Sequence, residues 1–148
     1  MARVSTYLNF PRTTEEAFQF YRSVFGGDFI GPVHRFGDMP PSPGQPPMPD
    51  ADKQLVMHVE LATLGGHVIM GTDAPGSMGF TVRPGNNAYL NLEPDTRAEA
   101  DRLFNGLSAG GKVEMPMQDM FWGAYFGSFS DRFGVCWMVN CAQAEAKR

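Results

Sequence analysis

The chain repeats itself, and this constrains its fold more than any other feature. Tyr7-Leu8-Asn9-Phe10 returns as Tyr89-Leu90-Asn91-Leu92, an offset of 82 positions, and each copy runs into a helical pattern that closes on Gly-Gly. In the first copy Thr13 and Glu16 have the spacing of a capping box. Ala17, Phe20, Tyr21 and Val24 follow at i, i+3, i+4 and i+7, and Gly26-Gly27 ends the run. In the second, Asp95 or Thr96 is the cap, Ala100, Leu103, Phe104 and Leu107 keep the same spacing, and Gly110-Gly111 closes it. Both helices are amphipathic, so each needs a sheet to lie on.

Three strand-like runs follow each helix: 28 to 36, 54 to 62 and 66 to 72, then 111 to 117, 121 to 130 and 135 to 140. The unit is therefore βαβββ, used twice. Between the first two of these runs, Gly37 to Asp52 carries Pro40, Pro41, Pro43, Pro46, Pro47 and Pro49, which favour a stiff loop without regular structure. The expected organisation is α+β, a single domain over 1–148, with module 1 at about 1–73, a Gly/Pro-rich linker at about 74–85 and module 2 at about 86–141. A helix covers only one face of each sheet. Two such modules are expected to curl their open faces, as one curved mixed sheet, around a shared concavity, the natural place for a ligand.

Composition narrows the partners. With 43% hydrophobic and 19% charged residues the 148-residue chain has the balance of a globular protein. A net charge of −4 without a Lys/Arg run argues against nucleic acid. No apolar stretch has the length of a signal peptide or a bilayer span, so no membrane partner is expected and the location reads as cytoplasmic. Cys136 and Cys141 lie in one extended run, too far apart to bridge, and read as buried thiols.

The order of elements, together with Phe121-Trp122-Gly123-Ala124-Tyr125-Phe126-Gly127, Asp131-Arg132-Phe133-Gly134 and Trp137-Met138, resembles the PhnB-like branch of the vicinal oxygen chelate superfamily. Phe20-Tyr21 before Phe25-Gly26-Gly27, and Gly66-His67-Val68-Ile69-Met70-Gly71-Thr72-Asp73, are similar to the same branch. The resemblance runs from Tyr7 to about Asn140. It implies the paired-βαβββ fold of glyoxalase I, extradiol dioxygenases and the fosfomycin and bleomycin resistance proteins, and it implies a homodimer. It also transmits the label 3-demethylubiquinone 3-methyltransferase, although no glycine-rich nucleotide loop follows a strand and opens a helix.

Metal-using members hold a divalent ion with His or Gln on the first strand of each module and Glu on the last. Laid on that pattern, this chain offers Ser5 and Asn87 at the first-strand positions and Met70 and Met138 at the last-strand ones. These groups are neutral and weak toward such an ion, so the expectation is no metal and no cofactor. The same substitution in both modules reads as symmetric.

Strand alternation sends Tyr7, Asn9, Tyr89 and Asn91, with Asn87, away from the helices, where they would either orient a small molecule or bond one another across the modules. His58 and Glu60 share a face and form a candidate general base with its orienting carboxylate, or a merely ligand-orienting pair. Met70, Met138, Phe121, Trp122, Tyr125 and Phe126 would wall the concavity if they face inward, or else belong to the core. The leading expectation is a metal-free aromatic and methionine-lined pocket for a small-molecule ligand. The rivals are a lyase, isomerase or dioxygenase of the superfamily, and the methyltransferase of the label. Asp131 reads as a turn former, and Asp73 as a carboxylate near the missing metal position.

Overall fold

The computed structural model describes residues 2–40 and 43–142, and its chain divides into two compact units between Val82 and Arg83. The first unit contains β1 (Thr6–Phe10), α1 (Thr14–Phe25), β2 (His34–Arg35), the single helical turn α2 (Asp50–Lys53), β3 (Val56–Ala62) and β4 (Val68–Asp73). Its sheet has the order β1-β4-β3-β2, with β1 parallel to β4 and the other pairs antiparallel.

Helix α1 buries Ala17, Phe18, Tyr21 and Val24, a stripe that takes in Phe18 where the spacing suggested Phe20, which is half-buried. The reason lies on β4. A Cβ at Gly71 would stand 2.4 Å from Phe18 Cε1, so the glycine opens the space that the Phe18 ring fills. The expected capping box is absent: Thr13 makes no side-chain cap bond. Asp73 instead reaches across from β4. Its Oδ1 accepts from Thr14 N at 3.0 Å and Thr14 Oγ1 at 2.8 Å, and its Oδ2 accepts from Val56 N at 2.8 Å. A carboxylate only 2% exposed is thus satisfied three times and caps the helix from outside it.

The expected strand 28 to 36 contracts to β2 and an isolated bridge between Phe29 and Leu61. Gly31 at φ 71° and Pro32, which has no N–H, break the ladder between them. The proline-rich excursion is less irregular than expected, with a 3₁₀ turn at Phe36–Asp38 and α2 at its end; positions 41 and 42 lie outside the described residues. Buried Asp52 in α2 accepts from Arg12 Nη2 and Ser77 Oγ, both at 2.8 Å, which ties down the end of the excursion and holds the Asp52 carboxyl below its ordinary range.

The second unit contains β5 (Leu90–Leu92), α3 (Arg97–Ser108), β6 (Lys112–Asp119), β7 (Ala124–Ser130) and β8 (Cys136–Ala142), in the sheet order β5-β8-β7-β6 with β5 parallel to β8. Here the helix follows its sequence closely. Ala100, Leu103, Phe104 and Leu107 are buried, and Thr96 Oγ1 accepts from Glu99 N at 3.1 Å. Phe104 meets Phe129 edge-on at 5.0 Å between ring centroids. Strand β7 starts three residues later than the run from 121 suggested, because Met120 to Gly123 form a turn with Gly123 at φ 95°. Cys136 and Cys141 are buried free thiols.

The duplication is out of step by two residues. Counted from the hairpin turns, Met70 and Met138 are equivalent, paired with Glu60 and Ser128 respectively. Counted from the parallel neighbour they are not: Met70 lies beside Tyr7, whereas Met138 lies beside Asn91, the repeat counterpart of Asn9. Because the slip is even, every side chain keeps its face of the sheet. Among the described residues no helix is long and apolar enough to cross a membrane.

Candidate functional site

In the first unit the face turned away from α1 gathers the sequence candidates. Met70 pairs with Tyr7 on one side and Glu60 on the other, so the three share a face, and His58 joins them two residues before Glu60. His58 Nε2 and Glu60 Oε2 are 2.8 Å apart, and the Tyr7 ring stands 6.0 Å from the imidazole between centroids. A carboxylate only accepts, so Nε2 carries the proton of this bond and Nδ1 is left facing away from Glu60. Ser5 Oγ points to Met70 Sδ at 4.0 Å. Tyr7 is 51% exposed, an open phenol beside an oriented imidazole. Asn9 lies on the same face and is also exposed. His67 is elsewhere, with Nε2 2.8 Å from Thr6 Oγ1.

In the second unit Met138 pairs with Asn91 and Ser128 on the helix-free face. Tyr89, two residues before Asn91, donates its phenol to Glu114 Oε1 at 2.8 Å, which holds the Tyr89 pKa above its ordinary value. Asn91 Nδ2 donates to Glu93 at 3.2 Å, and Asn87 sits in an exposed bend before β5. Burial, with Glu114 and Asp131 nearby, pushes the Cys136 thiol up.

Two candidates fall away from this face. Trp122 stands in the turn before β7, 56% exposed and edge-on to the 96% exposed Phe121 at 5.0 Å. Tyr125 lies on the helix side: its phenol donates to Asp101 of α3 at 2.5 Å, and the Arg97 guanidinium lies 3.8 Å from its ring centroid. Tyr125 and Phe126 are neighbours on one strand, so they cannot both face the same way. Glu114 was not among the sequence candidates. The pairing of β6 with β7 passes from Val113–Phe129 to Met115–Ser128, leaving Glu114 as the extra residue of a bulge, and no alternation pattern announces a bulge. A shallow recess of about 10 Å³ beside α1, lined by Glu15, Phe18, Gln19, Phe29, Val33, Val56 and Val59, contains none of the candidates.

Residues 2–140 match the model of the family described as 3-demethylubiquinone-9 3-methyltransferase. The chain belongs to this family. It is similar to protein PA1353 from Pseudomonas aeruginosa, with 37% identity, TM-score 0.80 and coverage of 97% of this chain and 99% of that one. A PhnB protein from Bacillus cereus that carries the same methyltransferase name is 28% identical with TM-score 0.72, over 95% of this chain and all of that one (100%). The α+β fold is also that of the glyoxalase/bleomycin resistance/dioxygenase proteins: a domain from Frankia sp. EAN1pec superposes with TM-score 0.64 at 16% identity, covering 99% of this chain and 96% of that one.

For this PhnB-like member the metal chemistry found within the fold can be tested on its donors. The positions the resemblance pairs with metal ligands hold a hydroxyl, a carboxamide and two thioethers, in Ser5, Asn87, Met70 and Met138. Among the described residues no three His, Cys, Asp or Glu side chains come together as a ligand set. One hydroxyl, one carboxamide and two soft thioethers, with no carboxylate, imidazole or thiolate among them, make a poor donor set for a hard or borderline divalent ion.

Proposed function

We propose that this PhnB-like protein binds a small organic molecule on the helix-free face of its sheets, through aromatic, amide and methionine side chains and without a metal. The observation that carries this reading is the cluster of Tyr7, His58, Glu60 and Met70, polar and aromatic groups gathered on the strand face away from α1, with Tyr7 exposed and the other three half-buried. The His58–Glu60 bond fixes the orientation of the ring and leaves Nδ1 for a ligand, the exposed phenol supplies a flat surface and a donor, and the thioether adapts to shape. Asn9 on the same face, and Asn87, Tyr89, Asn91 and Met138 in the second unit, belong to the reading as further ligand contacts, acting in the cytoplasm in a homodimer. Native mass spectrometry of gently purified protein tests it: a non-covalent compound is expected, and Tyr7→Ala or His58→Ala should lower its occupancy. Stoichiometric metal in protein purified without chelator, with binding lost on its removal, would overturn the metal-free reading.

A second reading has a specific observation behind it. The same His58–Glu60 pair, at 2.8 Å, is the arrangement of a general base with its orienting carboxylate. It would serve a lyase or isomerase removing a proton beside a carbonyl. Turnover in a panel of small carbonyl compounds, abolished by His58→Ala, would favour it. The methyl transfer in the family's name predicts a heat of binding with S-adenosylmethionine, and a flat calorimetric titration would remove that option.

A further inference from the structure

The second unit holds a carboxylate that the ligand residues above do not include, and its surroundings indicate what it would recognise. Glu114 is the extra residue of the β6 bulge, and a bulge turns its two residues toward one side. Its side chain reaches Tyr89, just before β5, although β6 and β5 are the two opposite edges of the sheet. The Tyr89 and Glu114 side chains, joined by the 2.8 Å bond, therefore link the two edges of the sheet. Among the described residues no Arg or Lys pairs with Glu114, whereas Glu15, Glu99 and Asp119 each hold an arginine within 2.9 Å. The first unit repeats the arrangement with different residues: Glu60 too bonds a ring donor, His58, and no Arg or Lys.

We infer that Glu114 is a specificity-determining residue for a ligand bearing a protonated amine, and that the Tyr89 phenol occupies its place until that ligand arrives. The inference rests on the ligand-binding reading above and deepens it. A carboxylate can only accept, so an occupant displacing the phenol must bring a donor, and an ammonium group forms the stronger, charge-assisted bond. An anionic ligand would meet repulsion from Glu114. The displaced Tyr89 ring remains beside the cation, where its face adds attraction. Ligand and phenol thus draw on one carboxylate, whose charge the amine needs and the phenol does not, which gives the two residues opposite signatures.

The test uses three probes of one shape, 2-phenylethylamine, 3-phenylpropionate and 2-phenylethanol, titrated into the full chain and followed by NMR shifts of the Met138 methyl group and by calorimetry. The amine is expected to bind at least tenfold more tightly than the other two. Glu114→Gln should weaken the amine at least tenfold and the alcohol far less, Glu114→Asp should retain part of the preference, and Tyr89→Phe, which frees the carboxylate and keeps the ring, should raise the amine's affinity. Glu114 is exposed, so these variants are expected to keep the wild-type melting temperature, which circular dichroism checks. Tighter binding of the propionate, an amine indifferent to Glu114→Gln, or no binding of the amine overturns the inference. If a neutral or anionic compound co-purifies on this face, the inference fails while the binding reading stands. If no compound of any class binds, both fail.

Discussion

The two units reach one architecture by different local means, as a buried aspartate beside a strand end or strand turn in each shows. In the first, Asp73 on β4 holds the start of α1 and the start of β3, joining elements far apart in the chain. In the second, Asp131 works close to home: Oδ1 accepts from Phe133 N at 2.8 Å and Val135 N at 3.1 Å, closing the β7–β8 turn, and Oδ2 accepts from the Trp137 indole at 2.9 Å. The helices divide the same way, α1 capped by a remote strand and α3 by its own Thr96. What the duplication preserves is the face each side chain takes. The polar device that secures each face is free to change.

Substitutions can break or sharpen that contrast. The largest effect is expected from Asp73→Ala, which strands two buried backbone N–H groups and a hydroxyl and should cost about 4 kcal/mol in urea unfolding. Asp131→Ala should cost less, about 2 kcal/mol, because it strands one buried donor, the Trp137 indole, while the two turn N–H groups it frees are only part-buried and can find water. A reversed order would mean that the local turn, not the long-range cap, carries more stability. Next come the glycines beneath the two helices. Gly71→Ala puts a methyl 2.4 Å from the Phe18 ring and should cost about 2 kcal/mol. Gly127→Ala meets Met117 Sδ and the buried Phe104 ring at 2.8 Å and the Met115 carbonyl at 3.0 Å; only the thioether can swing aside, so the cost should also be about 2 kcal/mol. Smallest is the pair of caps: Thr96→Ala should lose about 1 kcal/mol, and Thr13→Ala, with no cap bond to lose, about zero by the same unfolding measurement.

Much of this was legible in the residues. The helical spacing located α3 to its buried face, and strand alternation turned Tyr7 away from the helices and put His58 and Glu60 on one face, while Met70, left open between pocket wall and core, took its side only from the strand pairing. The failures have physical causes. The run 28 to 36 looked continuous because its apolar residues outweighed Gly31-Pro32 in a pattern count, yet one missing donor and one left-handed residue suffice to end a ladder. Phe18 displaced Phe20 because space above Gly71 existed for it, a fact of β4 rather than of the helix. Trp122 and Tyr125 were grouped with the pocket wall, but a turn and a one-residue change of face separate them from Met138.

Periodicity and repetition were enough to specify the βαβββ unit, its double use and the neutral character of Ser5, Asn87, Met70 and Met138, because each depends only on residue type and spacing. Which carboxylate caps a helix, where β6 bulges, and that Glu114 meets Tyr89 were settled by strands packing side by side. A hydrogen bond between residues 59 or 25 positions apart has no trace in local spacing; it exists only once the sheet has set its register.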